Sequence, residues 1–364
     1  MYVASASYCF TFPNAMNTFP ATHKRVLINN YYRNISPRGV IAYVSDLEEF
    51  LDSANIPHRV LTCPRFMERW PKQGFWFHLF EQIYVPLIGL KYSVVIYPYN
   101  SAALFSIFHS GSLLVVHDFI AYRRKLPGYG KLSVALVRCT QRIYQLSRRN
   151  VAYITKDIAR HAKFSGKFRH CKIYLLPNTF LRFRRRTERA ASQVQDRSDF
   201  ILLCTGKAPT KDLAGALRLY ETSEVANNVK LVILGLAGST ELVDATIRHQ
   251  PTLRDSITVL PIVSDDKVIE LYKSASAVWV HSMSEGFGRN IAEALICGAK
   301  VVASNIRPFR NQARSSRNVY LYRNGNHAQF ASALKHLLAS DYFPENLDTS
   351  VEALHKTFHD LLTK

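Results

Sequence analysis

The chain has 364 residues, 48% of them hydrophobic and 20% charged, a balance that excludes a disordered or fibrous protein. This is longer than one core usually serves, so two domains are expected. Lysine and arginine outnumber the acids 47 to 27, and the net charge of +20 draws anions, whether nucleotides, nucleic acid or an anionic lipid surface.

The N-terminal stretch MYVASASYCFTFPNAMNTFP places no basic residue before its apolar part, so no signal peptide is expected. A first strand falls on RVLINN (25–30). The helix after it repeats Val40, Tyr43, Val44, Leu47 and Leu51 at helical spacing. Strands follow at HRVLT (58–62), SVVIYP (93–98), SLLVVHD (112–118), VAYIT (151–155) and KIYLLPN (172–178), with a helix over about 130–149. The most apolar stretch, IYVPLIGLKYSVVIYP, is broken by Pro86, Lys91 and Pro98, and no transmembrane helix is expected. Residues 181–199, LRFRRRTERAASQVQDRSD, are polar, charged and aperiodic and read as a linker. The alternation restarts with FILLCTG (200–206), VKLVILG (229–235) and ITVLP (257–261). It continues through AVWVHS (277–282), KVVAS (300–304) and NVYLY (318–322), and VEALHKTFHDLLTK reads as a terminal helix.

Strands made of consecutive rather than alternating apolar residues are buried on both faces, as in parallel sheets covered by helices. The expected architecture is α/β, with two Rossmann-like parallel-sheet domains facing an interdomain cleft. Residues 1–180 form the first domain, 181–199 the linker and 200–340 the second domain. Residues 341–364 form a helix packing back toward the first domain. Ligands of such sheets bind beyond the strands' carboxyl ends, which directs attention to the segments after VVHD, LLCTG, VILG and VWVHS. Six scattered cysteines without C-x-x-C or metal-ligand spacing read as reduced, mostly buried thiols of a cytosolic protein.

In HSMSEGFGRNIAEALICGAKVVAS (281–304), Glu285 and Glu293 stand eight apart around a Gly-Phe-Gly turn. Ser282-x-x-Glu285 could be a capping box. That would put Gly286 and Gly288 inside the first two turns of a helix, at about 1 kcal/mol each relative to alanine. A helix starting near Gly288 avoids the cost and ends at Gly298 as a C-terminal cap. Its free N–H groups and dipole would face an anion, and the glycines would let the backbone approach it.

This stretch, with VSDDKVIELYKSASA before it, resembles the donor-site signature of the retaining glycosyltransferases of family 4. The matching positions are Tyr272, Ala275, Ser282, Glu285, Gly286, Phe287, Gly288, Glu293, Ala294, Gly298, Val301, Val302 and Ser304. LLCTGKAPTKDL resembles the family's diphosphate loop, with Lys207 and Lys211 in place. Lys207 stands where many relatives have arginine, so the bidentate grip on phosphate is weakened. LLVVHDFIAY resembles the segment whose histidine, here His117, faces the donor sugar, particularly in bacterial mannosyltransferase-like members. RGVIAYVSDLEEFL resembles the glycine-containing first loop, with Gly39 approaching the diphosphate or the acceptor. RPFRNQA departs from the family's acidic turn by carrying Asn311, and no role is assigned to it.

The resemblance covers about residues 26–340 and implies the GT-B fold and a nucleotide diphosphate sugar as donor. It implies His117 and Glu285 on the sugar, Glu293 on the ribose, and backbone near Ile262 and Val263 on the base. No D-x-D occurs, which fits a metal-independent enzyme without cofactor. The implied acceptor is a saccharide or a polyprenyl-diphosphate-linked one in bacterial lipopolysaccharide or exopolysaccharide assembly, and the likeness of VVHDFIAY points to GDP-mannose. The segment 119–156 holds nine Lys or Arg and no acid. It reads either as a solvated face or as a surface docking peripherally on anionic lipid at the inner face of the plasma membrane. The competing readings are a nucleotide-sugar epimerase or hydrolase of the same fold, and a non-catalytic polyanion binder. The second would require nucleic-acid affinity that falls steeply with salt; no recognition motif supports it, and nucleic acid is not expected as a partner.

Overall fold

The computed structural model describes residues 24–35, 39–122, 131–190, 198–223, 229–248, 251–343 and 351–363. Two six-stranded, wholly parallel sheets organise the chain. The first contains β1 (Val26–Asn29), β2 (His58–Leu61), β3 (Val94–Tyr97), β4 (Ser112–Val116), β5 (Asn150–Tyr153) and β6 (Lys172–Leu175), in the order β2-β1-β3-β4-β5-β6. The second contains β7 (Ser198–Cys204), β8 (Lys230–Leu234), β9 (Ile257–Val259), β10 (Ala275–Val280), β11 (Val301–Ser304) and β12 (Val319–Tyr322), in the order β12-β11-β10-β7-β8-β9. β1, β3, β4 and β11 are buried along their whole length, as uninterrupted apolar runs require. In each sheet the strand order reverses beside the first strand, between β1 and β3 and between β7 and β10. These are the switch points where such sheets open to ligands.

Helices cover both faces of each sheet. On the first sheet, the helix Gly39–Ser53 and the C-terminal helix Val351–Leu362 share one core, with Tyr43, Leu47 and Phe50 meeting Leu354 and Phe358. The Phe50 and Phe358 rings stack at 5.6 Å, and the Thr357 hydroxyl donates to Leu175 O at 2.8 Å. The opposite face carries the helical segment Gln73–Gly89, which includes a wide π-turn at Phe80–Tyr84, and the helix Lys131–Leu146. No helix among the described residues is long and apolar enough to cross a membrane.

One expectation is corrected. The segment read as a linker opens with a helix, Leu181–Arg189, and β7 already begins at Ser198; residues 191–197 lie outside the described ones. Its sequence lacks apolar periodicity because ion pairs hold it: Arg185 to Glu49 on one side, Arg186 to Asp265 at 2.9 Å on the other. The cysteines are mostly buried, as expected: Cys63, Cys171, Cys204 and Cys297 are buried and Cys139 is exposed, while Cys9 lies outside the described residues.

Candidate functional site

The glycine turn lies at the carboxyl end of β10. The chain runs irregularly from His281 to Gly288 before the helix Arg289–Ile296 starts. Gly288 has a φ of 86°, and a Cβ there would lie 2.3 Å from the Phe309 ring, so conformation and space both demand glycine. The capping-box alternative fails, because the Ser282 hydroxyl donates to Thr210 O at 2.9 Å and caps no helix. At the other end Gly298 has φ 75°. Ala299 N–H donates to Ala294 O (2.9 Å) and Gly298 N–H to Leu295 O (3.0 Å), the bond pair of a glycine C-cap.

Neighbouring β7 delivers the lysines. Lys207 stands exposed after it, and Lys211 ends a short turn, Pro209–Lys211. Met283 N–H donates to Thr210 O at 2.7 Å, which with the Ser282 bond locks this loop beside the glycine turn. Behind it, Asp212 caps the next helix through Gly215 N–H (3.2 Å) and faces His281 Nε2 at 3.3 Å. Lys211 Nζ thereby reaches Glu285 Oε1 at 2.5 Å, both side chains about one-fifth exposed. Glu293 engages other partners, Arg289 Nε at 3.2 Å and the Tyr272 hydroxyl at 3.5 Å. Burial raises the Glu293 pKa, and the Arg289 charge opposes that shift.

The first sheet meets this turn directly. His117 follows β4; its backbone N–H donates to Asn100 Oδ1 (2.6 Å), and its ring stands edge-on to Tyr43 at 4.9 Å. Its Nε2 is buried without a partner among the described residues, and burial lowers its pKa to about 4, so the ring is neutral at pH 7. A Cβ on Gly286 would lie 2.5 Å from His117 O, so the two segments are in contact through backbone. Phe287 packs on the first sheet's core, 5.9 Å from the Phe180 ring, and Gly39 opens its helix beside the Arg289 side chain. Gly39, His117, Gly286 and Phe287 thus converge on one seam, with Lys211 and Glu285 held beside it. Val263, half-buried after β9, and Lys207 are not part of these contacts, though both follow strands of the same sheet.

Sequence reasoning missed the residue at the centre of the seam. Arg289, first in the helix, donates from Nη2 to Asp46 Oδ2 (2.9 Å) and from Nη1 to Asn178 Oδ1 (2.7 Å), and lies 4.3 Å over the Phe180 ring. Its spacing of four from Glu293 was one signal. Asp46, an acid on the otherwise apolar face carrying Tyr43 and Phe50, was another. Burial raises the Asp46 pKa, against the pull of Arg289. A second clasp joins Asp157 of the first domain to Arg307 (3.1 Å) and to Asn311, the position that departs from the family pattern. Glu81, on the π-turn, is fully buried. Burial lifts its pKa to about 8, with the Ser101 hydroxyl acting the other way.

Comparison with known proteins bears on the family and the fold. The family described as Glycosyl transferases group 1 matches residues 184–353. A D-inositol 3-phosphate glycosyltransferase of Xylanimonas cellulosilytica is 31% identical over 133 residues, which are 36% of this chain and 32% of the relative. An O-antigen chain mannosyltransferase B of Escherichia coli is 31% identical over 100 residues, 27% of this chain and 26% of the relative. The chain therefore matches only about a third or less of these relatives' lengths. Among solved structures, a sucrose-phosphate synthase from Thermosynechococcus elongatus superposes with a TM-score of 0.65 at 14% identity, covering 93% of this chain and 96% of that one. Anabaena Alr3699/HepE in complex with UDP-glucose superposes at 0.58 and 16% identity, covering 92% of each. Residues 184–353 match the family model for Glycosyl transferases group 1, and the whole chain has the GT-B type of fold.

Proposed function

We propose that the protein is a retaining, metal-independent hexosyltransferase of family 4. It transfers mannose from GDP-mannose to a saccharide or polyprenyl-diphosphate-linked acceptor in bacterial cell-surface polysaccharide synthesis. The observation that carries this reading is the Lys211–Glu285 pair at 2.5 Å beside a glycine turn that His117 contacts from the other domain. Lys211, Lys207 and the free N–H groups at Arg289–Asn290 meet the negative charge that grows on the nucleotide as its bond to the sugar breaks. The departing phosphate takes the acceptor hydroxyl's proton on the same face, so configuration is retained. Glu285 and the neutral His117 orient sugar hydroxyls, Glu293 holds the ribose, Gly39 admits the diphosphate, and the backbone at Val263 meets the base. Asn30 Nδ2 and Gln141 Oε1, buried without protein partners near the ends of β1 and β3, are offered to acceptor hydroxyls. The mannosyltransferase relative supports the choice of sugar and pathway. The enzyme works in the cytoplasm at the inner face of the plasma membrane, its basic segment 119–156 toward anionic lipid; residues 123–130 of that segment lie outside the described ones.

A thermal-shift panel of UDP, GDP, ADP and dTDP with their sugars tests the donor. A ligand at one hundred times its Kd adds about 2.7 kcal/mol to native stability. GDP and GDP-mannose should raise the melting temperature most. A shift by UDP alone would overturn the mannose donor. Sugar conversion without acceptor would replace transfer by epimerisation or hydrolysis.

A further inference from the structure

The first domain carries an apolar surface that neither the donor site nor the core uses. Ten of the eighteen exposed large hydrophobic side chains among the described residues fall between Phe66 and Phe108. Five of them form a stripe along the segment Gln73–Leu90: Phe75, Leu79, Ile83, Leu87 and Leu90, 41–74% exposed. A spacing of four drifts by about 40° per step around an α-helix. The π-turn at Phe80–Tyr84 takes more residues per revolution and turns the stripe back, so it stays on one side. The opposite side, with Phe77, Phe80 and Val85, is packed into the core. The segment is thus apolar on both sides, and the described residues cover only one of them.

The stripe continues at both flanks. Ring contacts link Phe66 to Trp70 (5.7 Å), Trp70 to Trp76 (4.7 Å) and Trp76 to Phe75 (5.2 Å). Gln82 bonds Leu104 N–H (2.9 Å), placing the short helix Leu104–Phe108, with its exposed Phe105 and Phe108, alongside. Cations border the patch: Arg65, Arg69, Lys72 and Lys91 are exposed, while the nearby acids are Glu68, bonded by Asn34, and the buried Glu81. His78 contacts Ser133 Oγ at 3.1 Å, so the basic helix Lys131–Leu146, with exposed Arg138 and Arg142, lies next to it.

We infer that this face is a docking surface for an anionic lipid bilayer. The stripe sinks into the acyl boundary and the bordering cations pair with headgroups. An apolar patch ringed by cations matches that partner in charge as well as hydropathy, and a segment too short to span lies in the interface plane. The basic residues alone would give only a salt-sensitive attraction; the apolar stripe supplies the anchorage. This inference stands whether or not the donor is GDP-mannose.

The full chain should float with vesicles of phosphatidylcholine containing phosphatidylglycerol and not with phosphatidylcholine alone. Trp70 and Trp76 lie in the patch and Trp279 is fully buried in the other domain, so emission should shift to the blue on binding. The triple substitution Phe75→Ser, Leu87→Ser and Leu90→Ser should weaken vesicle binding about tenfold or more. Its melting temperature and response to nucleotide should stay unchanged. Three results would overturn the inference: no flotation, equal flotation of the triple variant, or a dimer of the parent chain that this variant dissolves without any vesicle binding. Loss of binding on Arg138→Gln with Arg142→Gln, while the triple variant still binds, would also overturn it.

Discussion

Arg289 and Asp46 form an ion pair across the two domains, Nη2 to Oδ2 at 2.9 Å, with side chains only 11% and 3% exposed. The first residue of the helix after the glycine turn is thereby tied to the first domain. Its charge is engaged largely within this seam, so the proposed function leaves phosphate to Lys211 and the helix N–H groups. Removing one member of a sheltered pair strands the other, at about 3–5 kcal/mol. Asp46→Ala should therefore lower stability by roughly that amount, whereas Asp46→Leu combined with Arg289→Leu should recover much of it. Thermal and urea melts of the two singles and the double read the coupling. Additive losses would mean that the pair does not act as a unit.

Among the described residues Glu285 is bound to Lys211 and to no buried structural partner, so its loss should spare the fold. Glu285→Ala should lower the transfer rate by about a hundredfold or more, the scale of removing one electrostatic contact to a reacting centre. The melting temperature should stay within a few degrees of the parent's. Lys211→Ala should instead weaken donor binding together with rate. Unchanged transfer by Glu285→Ala would remove the glutamate from the site.

The strands and the glycine turn were legible because short-range chemistry encodes them. All twelve expected strands are present, and the cost of Gly286 and Gly288 within a helix correctly moved the helix start to Arg289. The helix Leu181–Arg189 was not legible, since partners far away in sequence, Glu49 and Asp265, decide whether its arginines are solvated or paired. The seam failed for the same reason. The relation of Arg289 to Asp46 spans 243 residues and has no periodicity, and only the folded sheets bring them together. Gln73–Gly89 went unread because apolar residues on both sides of a helix leave no stripe to detect.

Gly286 is small because the other domain touches it. A Cβ there would stand 2.5 Å from His117 O and 3.3 Å from Asp118 Cβ, so Gly286→Ala must push the domains apart locally. The expected result is weaker donor binding and a lower melting temperature, with the second domain's own packing preserved. Gly298→Ala is the control. Its Cβ meets nothing within 4 Å, and only the φ of 75° strains it, for about 1 kcal/mol. If both variants bind donor equally well, the seam plays no part in binding.

His117 gives the site a pH signature with a definite sign. Burial lowers its folded pKa to about 4 from the ordinary 6.5, so between these values the unfolded chain binds more protons than the folded one. Stability from this group is complete above pH 6.5 and falls as pH drops toward 4, by at most about 3 kcal/mol. Glu81 and Asp46, both raised by burial, act in the opposite direction: they favour the folded state more as pH falls, Glu81 from about pH 8 downward. Replacing His117 with Gln should therefore flatten the loss of stability between pH 6.5 and 4 and leave the trend near pH 8 untouched. Melts of parent and variant across pH 4–9 measure both slopes. A parent slope in the acid window that the substitution does not reduce would show that His117 titrates as an exposed imidazole, and its place as a neutral partner of the sugar would fall with it.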